Sequence, residues 1–387
     1  MAAPGPHLLQ IPGPSNVPER VLRAMARPTI DHRGPEFQAL ARDVLGRLRG
    51  VFGTEYPVVA YPSSATGAWE AALVNTLSPG DRVLCAETGQ FSTQWCVLAD
   101  RLGLVAEVLP GDWRHGADPQ AIEDRLRDDR DGAVKAVMVV HNETSTGVAS
   151  RLPQVRAAMD AAGHGALLLV DTVSSLACTE YRPDDWGVDV TVCGSQKGLM
   201  LPPGLGFNAI GPRALAAAKT AGFPRGYWDW APMLAMNGDG LFPYTPATNL
   251  LYGLAESLDM LAEEGLANVF ARHRRLSAAT RAAVAAWGWE VQCRHPDEHS
   301  PSLTAVRVPD GQDADRLRAV ILETANIALG NGLGPLKGKV FRIGHLGEIN
   351  DARLAGVLAG VELGLAAAQA PLAGSGVAAA VAALGRA

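Results

Sequence analysis

The chain has 387 residues, of which 48% are hydrophobic, and a formal net charge of −6. That length and apolar content supply a large core, split between two domains or between a large and a small one. No block of lysine and arginine stands out, which argues against nucleic acid or an anionic membrane as a partner.

The N-terminal stretch "MAAPGPHLLQIPGPSNVPER" is broken by prolines and lacks an apolar signal core, so residues 1–20 read as an arm and not as a secretory leader. Next, "PSSATGAWEAALVNTLSPGD" places Ser63, Ser64, Ala65, Thr66 and Gly67 before a helix expected over about 68–77. Short apolar runs follow at 82–86 ("RVLCA"), 136–140 ("AVMVV"), 166–170 ("ALLLV") and 189–193 ("DVTVC"). They read as strands buried on both faces, and helical segments such as "RLPQVRAAMDAAG" lie between them. This alternation predicts an α/β fold with a mostly parallel sheet sandwiched by helices, in a large domain over 21–264.

Farther on the pattern changes. Leu266, Val269, Phe270, His273, Leu276, Thr280, Val284 and Trp287 recur at helical spacing. "SLTAVRVP" and "GKVFRIG" read as strands around the helix "DADRLRAVILET". A smaller α+β domain is expected over 265–387. The late apolar stretch is cut by Pro371, Gly374 and Gly376 into pieces too short to span a bilayer, and it ends Gly-Arg-Ala, which is no peroxisomal address. The five cysteines (Cys85, Cys96, Cys178, Cys193, Cys293) show no CxxC pair. Free thiols, no metal site and a soluble cytoplasmic protein are the expectation.

In open α/β sheets, ligands sit beyond the carboxyl ends of the strands. Three strands there deliver chemistry: "HNETSTG" after 136–140, Asp171 after 166–170, and "GSQKG" with Lys197 after 189–193. A lysine in that place either holds a phosphate or forms a Schiff base with a carbonyl. A phosphate loop needs GxxxxGK[ST], but Gly194 stands only three residues before Lys197. A GxSxG elbow fails too, because the serine of "GSQKG" comes one place early. The Schiff-base reading survives, with Asp171 suited to keep a pyridine nitrogen protonated. Ser64, Ala65 and Thr66 could bind a phosphate at a helix N-terminus. Phe91 could stack on a ring, and Arg342 could hold a carboxylate through two parallel bonds. Each residue also has a plainer role: a solvated loop lysine, helix caps, a core phenylalanine, a surface ion pair. His32 and Arg33 read as part of a helix entry.

Together, "PGPSNVP", "DHRGPEF", "HNETSTGV", "LLLVDTVSSL", "WGVDV", "GSQKGLMLPPGL", "PYTP", "GKVFRIGHLG" and "GSGVAAA" resemble the serine–glyoxylate and alanine–glyoxylate aminotransferase family over residues 10–380. These are class-V, fold-type-I enzymes dependent on pyridoxal 5'-phosphate (PLP). The resemblance implies that Lys197 is the Schiff-base lysine and that Asp171 partners the pyridinium nitrogen. It also implies that Ser64, Ala65, Thr66 and Gln196 hold the phosphate, that Ser145 lies near the ring hydroxyl and that Phe91 stacks on the ring. Arg342 would bind the substrate α-carboxylate, and Thr245 would reach the phosphate of the neighbour in a homodimer with shared sites. Phe242 stands where some members carry a phosphate-binding tyrosine, so Tyr244 or water would take over that bond.

The activity implied is amino transfer from a small L-amino acid to glyoxylate, giving glycine and a 2-oxo acid. Serine is the first donor expected, yielding hydroxypyruvate; aspartate and alanine follow. Three rivals share the fold or the cofactor. A PLP-dependent lyase such as a cysteine desulfurase needs a reactive cysteine, for which Cys293 has no suitable context. The others are a 2-aminoethylphosphonate transaminase and a non-catalytic PLP-binding protein.

Overall fold

Short runs rich in valine, leucine and alanine pair side by side into the main sheet, as their length and continuous apolar character dictate. The computed structural model describes residues 7–386. In chain order its strands are β1 (Leu8–Gln10), β2 (Val58–Ser63), β3 (Arg82–Ala86), β4 (Val105–Leu109), β5 (Val134–Val140), β6 (Asn142–Glu143), β7 (Val148–Ala149), β8 (Leu167–Asp171), β9 (Val190–Gly194), β10 (Gly204–Ile210), β11 (Glu290–Val291), β12 (Leu303–Arg307), β13 (Ile327–Asn331) and β14 (Val340–Gly344).

The main sheet has seven strands in the order β2-β10-β9-β8-β5-β3-β4. The β9-β8-β5-β3-β4 run is parallel. β10 alone runs antiparallel to both of its neighbours, β2 and β9. Every residue of β8 and β9 is buried. Helices Ala65–Thr76, Gln90–Arg101 and Leu152–Ala161 connect strands of this sheet. One apolar core covers its two faces, with Phe37, Ala41, Val44 and Leu48 of helix Pro35–Phe52 buried at helical spacing.

A second core lies around a five-stranded sheet ordered β1-β13-β14-β12-β11. Helix Leu266–Ala286 joins the two cores. Val269 belongs to the first, whereas Leu276, Ala279 and Ala283 belong to the second.

The sequence reading did not name β2, β4, β6, β7, β11 or β13, and three further departures bear on the site. The helix expected at 68–77 starts earlier, at Ala65, so Ser64 takes its N-cap position and Ala65, Thr66 and Gly67 form its first turn. β10, "GLGFNAI", was not expected as a strand, because its glycines lower β-propensity. Gly206 has a local cause, since a β-carbon there would sit 2.6 Å from the Ser64 carbonyl oxygen. Finally, the N-terminal arm is tied down: β1 pairs in parallel with β13, and the Gln10 side chain donates to the Gly344 carbonyl. Among the described residues no helix is long and apolar enough to cross a membrane.

Candidate active site

β9, β8 and β5 are adjacent and parallel, so their carboxyl ends open on one edge. That edge gathers Lys197, Asp171 and the turn Asn142–Thr146. Lys197 is 7% exposed and donates from Nζ to the Pro12 carbonyl. The N-terminal arm lies against it. A β-carbon on Gly13 would fall 2.4 Å from Cδ, Cε and Nζ of Lys197, and Gly13 holds φ +125°, a region that favours glycine. Ser15 closes the contact, donating from its amide to the Gln196 carbonyl at 2.9 Å and from Oγ to the Lys197 carbonyl at 3.0 Å. Burial, and secondarily the Arg342 guanidinium, pull the Lys197 amine down to about 8; Asp171 acts in the opposite direction.

Asp171 ends β8 and is also buried. Its Oδ1 accepts from the Val173 amide at 2.7 Å and its Oδ2 from the Trp69 indole at 2.8 Å. Trp69 in turn stacks on Trp95, centroids 5.7 Å apart at 13°. Burial pushes the carboxyl up to about 7, against those two hydrogen bonds.

Ser64 is the N-cap residue of helix Ala65–Thr76, but its side chain makes no capping bond. The amides of Gly67 and Ala68 close onto the Ser64 carbonyl, which leaves those of Ala65 and Thr66 without an intrahelical acceptor. Gln196 Oε1 beside them is buried with no partner. A β-carbon on Gly194 would meet Gln196 Oε1 at 2.9 Å and the Ala65 β-carbon at 3.2 Å, so glycine keeps this hollow open. The free amides and the positive end of the helix make it an anion cradle.

Arg342, on β14, is buried and links β13 of its own sheet to the turn between β6 and β7. Nε donates to the Asn331 carbonyl at 2.7 Å and Nη1 to the Thr144 carbonyl at 2.9 Å. Three of its five N–H donors remain for a ligand. Burial lowers the guanidinium to about 10, so it stays charged at neutral pH. An open cleft of about 620 Å³ lies elsewhere, lined by His141, Arg281 and His299, and includes none of Lys197, Asp171 or Arg342. Buried charge therefore marks the site better than concavity does.

The remaining candidates are placed as follows. Phe91 is the second residue of helix Gln90–Arg101, half-buried against the main core. Ser145 donates from Oγ to Glu143 Oε1 at 2.6 Å and accepts from the Gln90 amide at 2.9 Å. Thr245 is exposed ahead of helix Thr248–Glu264. Phe242 is buried against Phe37, centroids 6.1 Å apart. The Tyr244 ring stacks on Tyr227 at 4.3 Å, and its hydroxyl is buried without a partner. His32 and Arg33 lie in the turn entering helix Pro35–Phe52, where Asp31 Oδ1 accepts from the Arg33 amide.

Sequence reasoning passed over four contributors: Pro12, Gly13, Trp69 and Glu143. Trp69 had a usable signal, because it stands four residues after Ala65 and so shares a helix face with the cradle. The arm residues had none beyond their motif, since their contact with Lys197 spans 185 positions.

The class-V aminotransferase family model matches residues 7–336. The chain is 48% identical to the serine–glyoxylate aminotransferase of Methylorubrum extorquens, over 94% of this chain and 92% of that one. It is 45% identical to the L-aspartate–glyoxylate aminotransferase of Paracoccus denitrificans, over 96% and 94%. Among solved structures, pyridoxamine–pyruvate aminotransferase from Mesorhizobium loti superposes with a TM-score of 0.91 at 30% identity, covering all of both chains. The chain belongs to the class-V aminotransferases.

Proposed function

We propose that this aminotransferase moves the amino group of L-serine to glyoxylate with PLP as cofactor, forming hydroxypyruvate and glycine. One observation carries the reading: a buried amine, a buried carboxylate and a buried guanidinium meet at one sheet edge in a chain 48% identical to a serine–glyoxylate aminotransferase. Aspartate is the second donor, because the relative acting on it is nearly as similar, at 45%. Alanine is the third.

The residues present fit the cofactor. Lys197 would hold its aldehyde carbon and Asp171 its ring nitrogen. Ser64, Ala65, Thr66 and Gln196 would hold the phosphate; the unpaired amides of Ala65 and Thr66 are what a phosphate would satisfy, and Gln196, whose Oε1 has no partner to hold it in place, would turn its Nε2 donor to the same phosphate. Phe91 would face the ring. Ser145 keeps one acceptor lone pair for the ring hydroxyl, the rest being used by Glu143 and the Gln90 amide. When bound, PLP supplies the electron sink that lets an amino group change carriers.

The chain supplies the rest. Lys197 Nζ, drawn down to about 8, is partly neutral near physiological pH and can take a proton from the substrate α-carbon and return it. Asp171, once beside a cation, is held ionised and keeps that cation in place. Arg342 binds the α-carboxylate of donor and acceptor alike through its free donors. Pro12 and Gly13 lie over Lys197 and keep water from it.

The desulfurase reading loses support from the cysteines. All five are buried. Burial pushes the thiols of Cys178 and Cys293 up to about 12, far from thiolate chemistry.

We further place Thr245, exposed in the single chain, against the partner's phosphate in a homodimer. An active monomer in sedimentation at working concentration would overturn that assignment. The activity is tested by a panel of serine, aspartate, alanine and 2-aminoethylphosphonate against glyoxylate and pyruvate. Glycine formed fastest from serine and glyoxylate is the expected result; no turnover with any α-amino acid would refute it.

A further inference from the structure

Glu143 ends β6, is fully buried, and has no part in the chemistry above. Four donors meet its two oxygens: the amide of Phe91 at 3.1 Å, the amide of Ser92 at 3.1 Å, and the amide and hydroxyl of Ser145 at 3.0 and 2.6 Å. None of them is an ammonium or a guanidinium. A glutamine there would turn an N–H₂ toward N–H donors, so the arrangement calls for a carboxylate.

The position matters because of what the same turn holds. Phe91 and Ser92 lie in the first turn of helix Gln90–Arg101, and the Gln90 amide donates to Ser145 Oγ at 2.9 Å. The turn Glu143–Ser145 therefore caps, from outside, the helix that presents Phe91. Between those two residues stands Thr144, whose carbonyl accepts Arg342 Nη1 at 2.9 Å. One three-residue turn thus fixes both the ring-facing phenylalanine and the carboxylate-facing arginine.

Its charge matters as well. The groups acting on the Lys197 amine are Arg342 from β14, Asp171 from β8, Cys178 from the loop after β8, and Glu143. Arg342 disfavours a protonated amine, while Asp171 and Glu143 favour it. Glu143 also favours the charged form of Arg342. The site buries two positive groups, and Glu143 is its second negative one.

We propose that Glu143 is a positioning residue for transamination: its buried carboxylate, through one turn, aligns the ring-facing Phe91 and the carboxylate-binding Arg342. This rests on Lys197 being the cofactor lysine.

The test uses PLP-loaded wild type, Glu143→Gln and Glu143→Asp. It records the pH titration of the bound cofactor's visible absorption, KM for serine and for glyoxylate, and Tm. For Glu143→Gln the titration midpoint should fall, because one negative charge has gone from the site. KM for both substrates should rise by roughly tenfold to a hundredfold as Arg342 loses alignment. Glu143→Asp should keep the midpoint but raise KM, since it preserves charge and shortens reach. A Glu143→Gln that melts lower yet titrates and binds like wild type is a helix cap only, and the proposal falls. Should Glu143→Gln not fold, Glu143→Asp decides, and an unchanged KM for both substrates overturns the idea. A loaded wild type with no visible band would instead overturn the Lys197 reading, and this proposal with it.

Discussion

Replacing Arg342 by alanine separates a substrate-binding role from a structural one. The guanidinium is 6% exposed and spends two donors on backbone, the Asn331 and Thr144 carbonyls. Truncation leaves both carbonyls without that partner, at about 1–3 kcal/mol each where water cannot reach them. Tm should therefore fall by several degrees. The larger effect is on substrates. Removing one partner of a desolvated charge pair costs roughly 2–5 kcal/mol, which is about 30-fold to several-thousand-fold in kcat/KM. Serine and glyoxylate both carry an α-carboxylate, so both should lose by a similar factor in steady-state assays. Cofactor affinity, measured by titration of the stripped enzyme, should hold. Arg342→Lys restores the charge but not the two-pronged geometry and should recover only part of the loss. If serine is impaired while glyoxylate is untouched, or if the cofactor is released, Arg342 is not the carboxylate residue.

Two further substitutions test the cofactor side. Lys197→Ala should fold, lose the visible absorption of the loaded enzyme and lose transamination; full activity in the purified variant would refute the assignment. Asp171→Asn should bind PLP and lose turnover far more than affinity, because an amide cannot hold a ring nitrogen protonated. Without cofactor, burial holds Asp171 near 7 against an ordinary 3.8. Between those values the folded chain keeps a proton that the unfolded chain has released, so this group's contribution to stability falls as pH rises through that window. The Tm of wild type minus that of Asp171→Asn should decrease from pH 4 to pH 7; a flat difference would show that the carboxyl titrates normally.

Much of the main sheet was legible because buried parallel strands leave continuous apolar runs: the expected 82–86 is β3 to the residue, and 189–193 is offset from β9 by one. Lys197 and Asp171 were legible for the same reason, as polar residues at the ends of such runs. β10 was hidden because its glycines lower strand propensity, Gly206 answering instead to the Ser64 carbonyl and Gly204 to the Leu250 side chain. β1 was hidden because three residues carry no period and their partner, β13, lies more than three hundred positions away. Glu143 sat inside a quoted motif with no role, because two of its four donors come from helix Gln90–Arg101, some fifty positions earlier. Local pattern reveals strands and strand ends; it cannot reveal which distant backbone amides converge on a carboxylate.

The bonds that fix this site share a feature that bears on how its specificity can change. Most come from backbone: Lys197 is held by the Pro12 carbonyl, Asp171 by the Val173 amide, Arg342 by the Asn331 and Thr144 carbonyls, and Glu143 by the amides of Phe91, Ser92 and Ser145, with the Trp69 indole on Asp171 and the Ser145 hydroxyl on Glu143 as the side-chain exceptions. Backbone groups persist through most side-chain substitutions, so the frame tolerates sequence change around it. An α-carboxylate and an α-amine are common to every donor, and in the roles proposed for Arg342 and Lys197 the frame addresses those two groups. What distinguishes serine from aspartate must then come from side chains outside the frame, which can vary without disturbing Lys197, Asp171 or Arg342. Relatives that act on serine and on aspartate stand at 48% and 45% identity to this chain, nearly level. That near-equality fits a frame shared by both donors, with donor choice resting on side chains the frame does not fix.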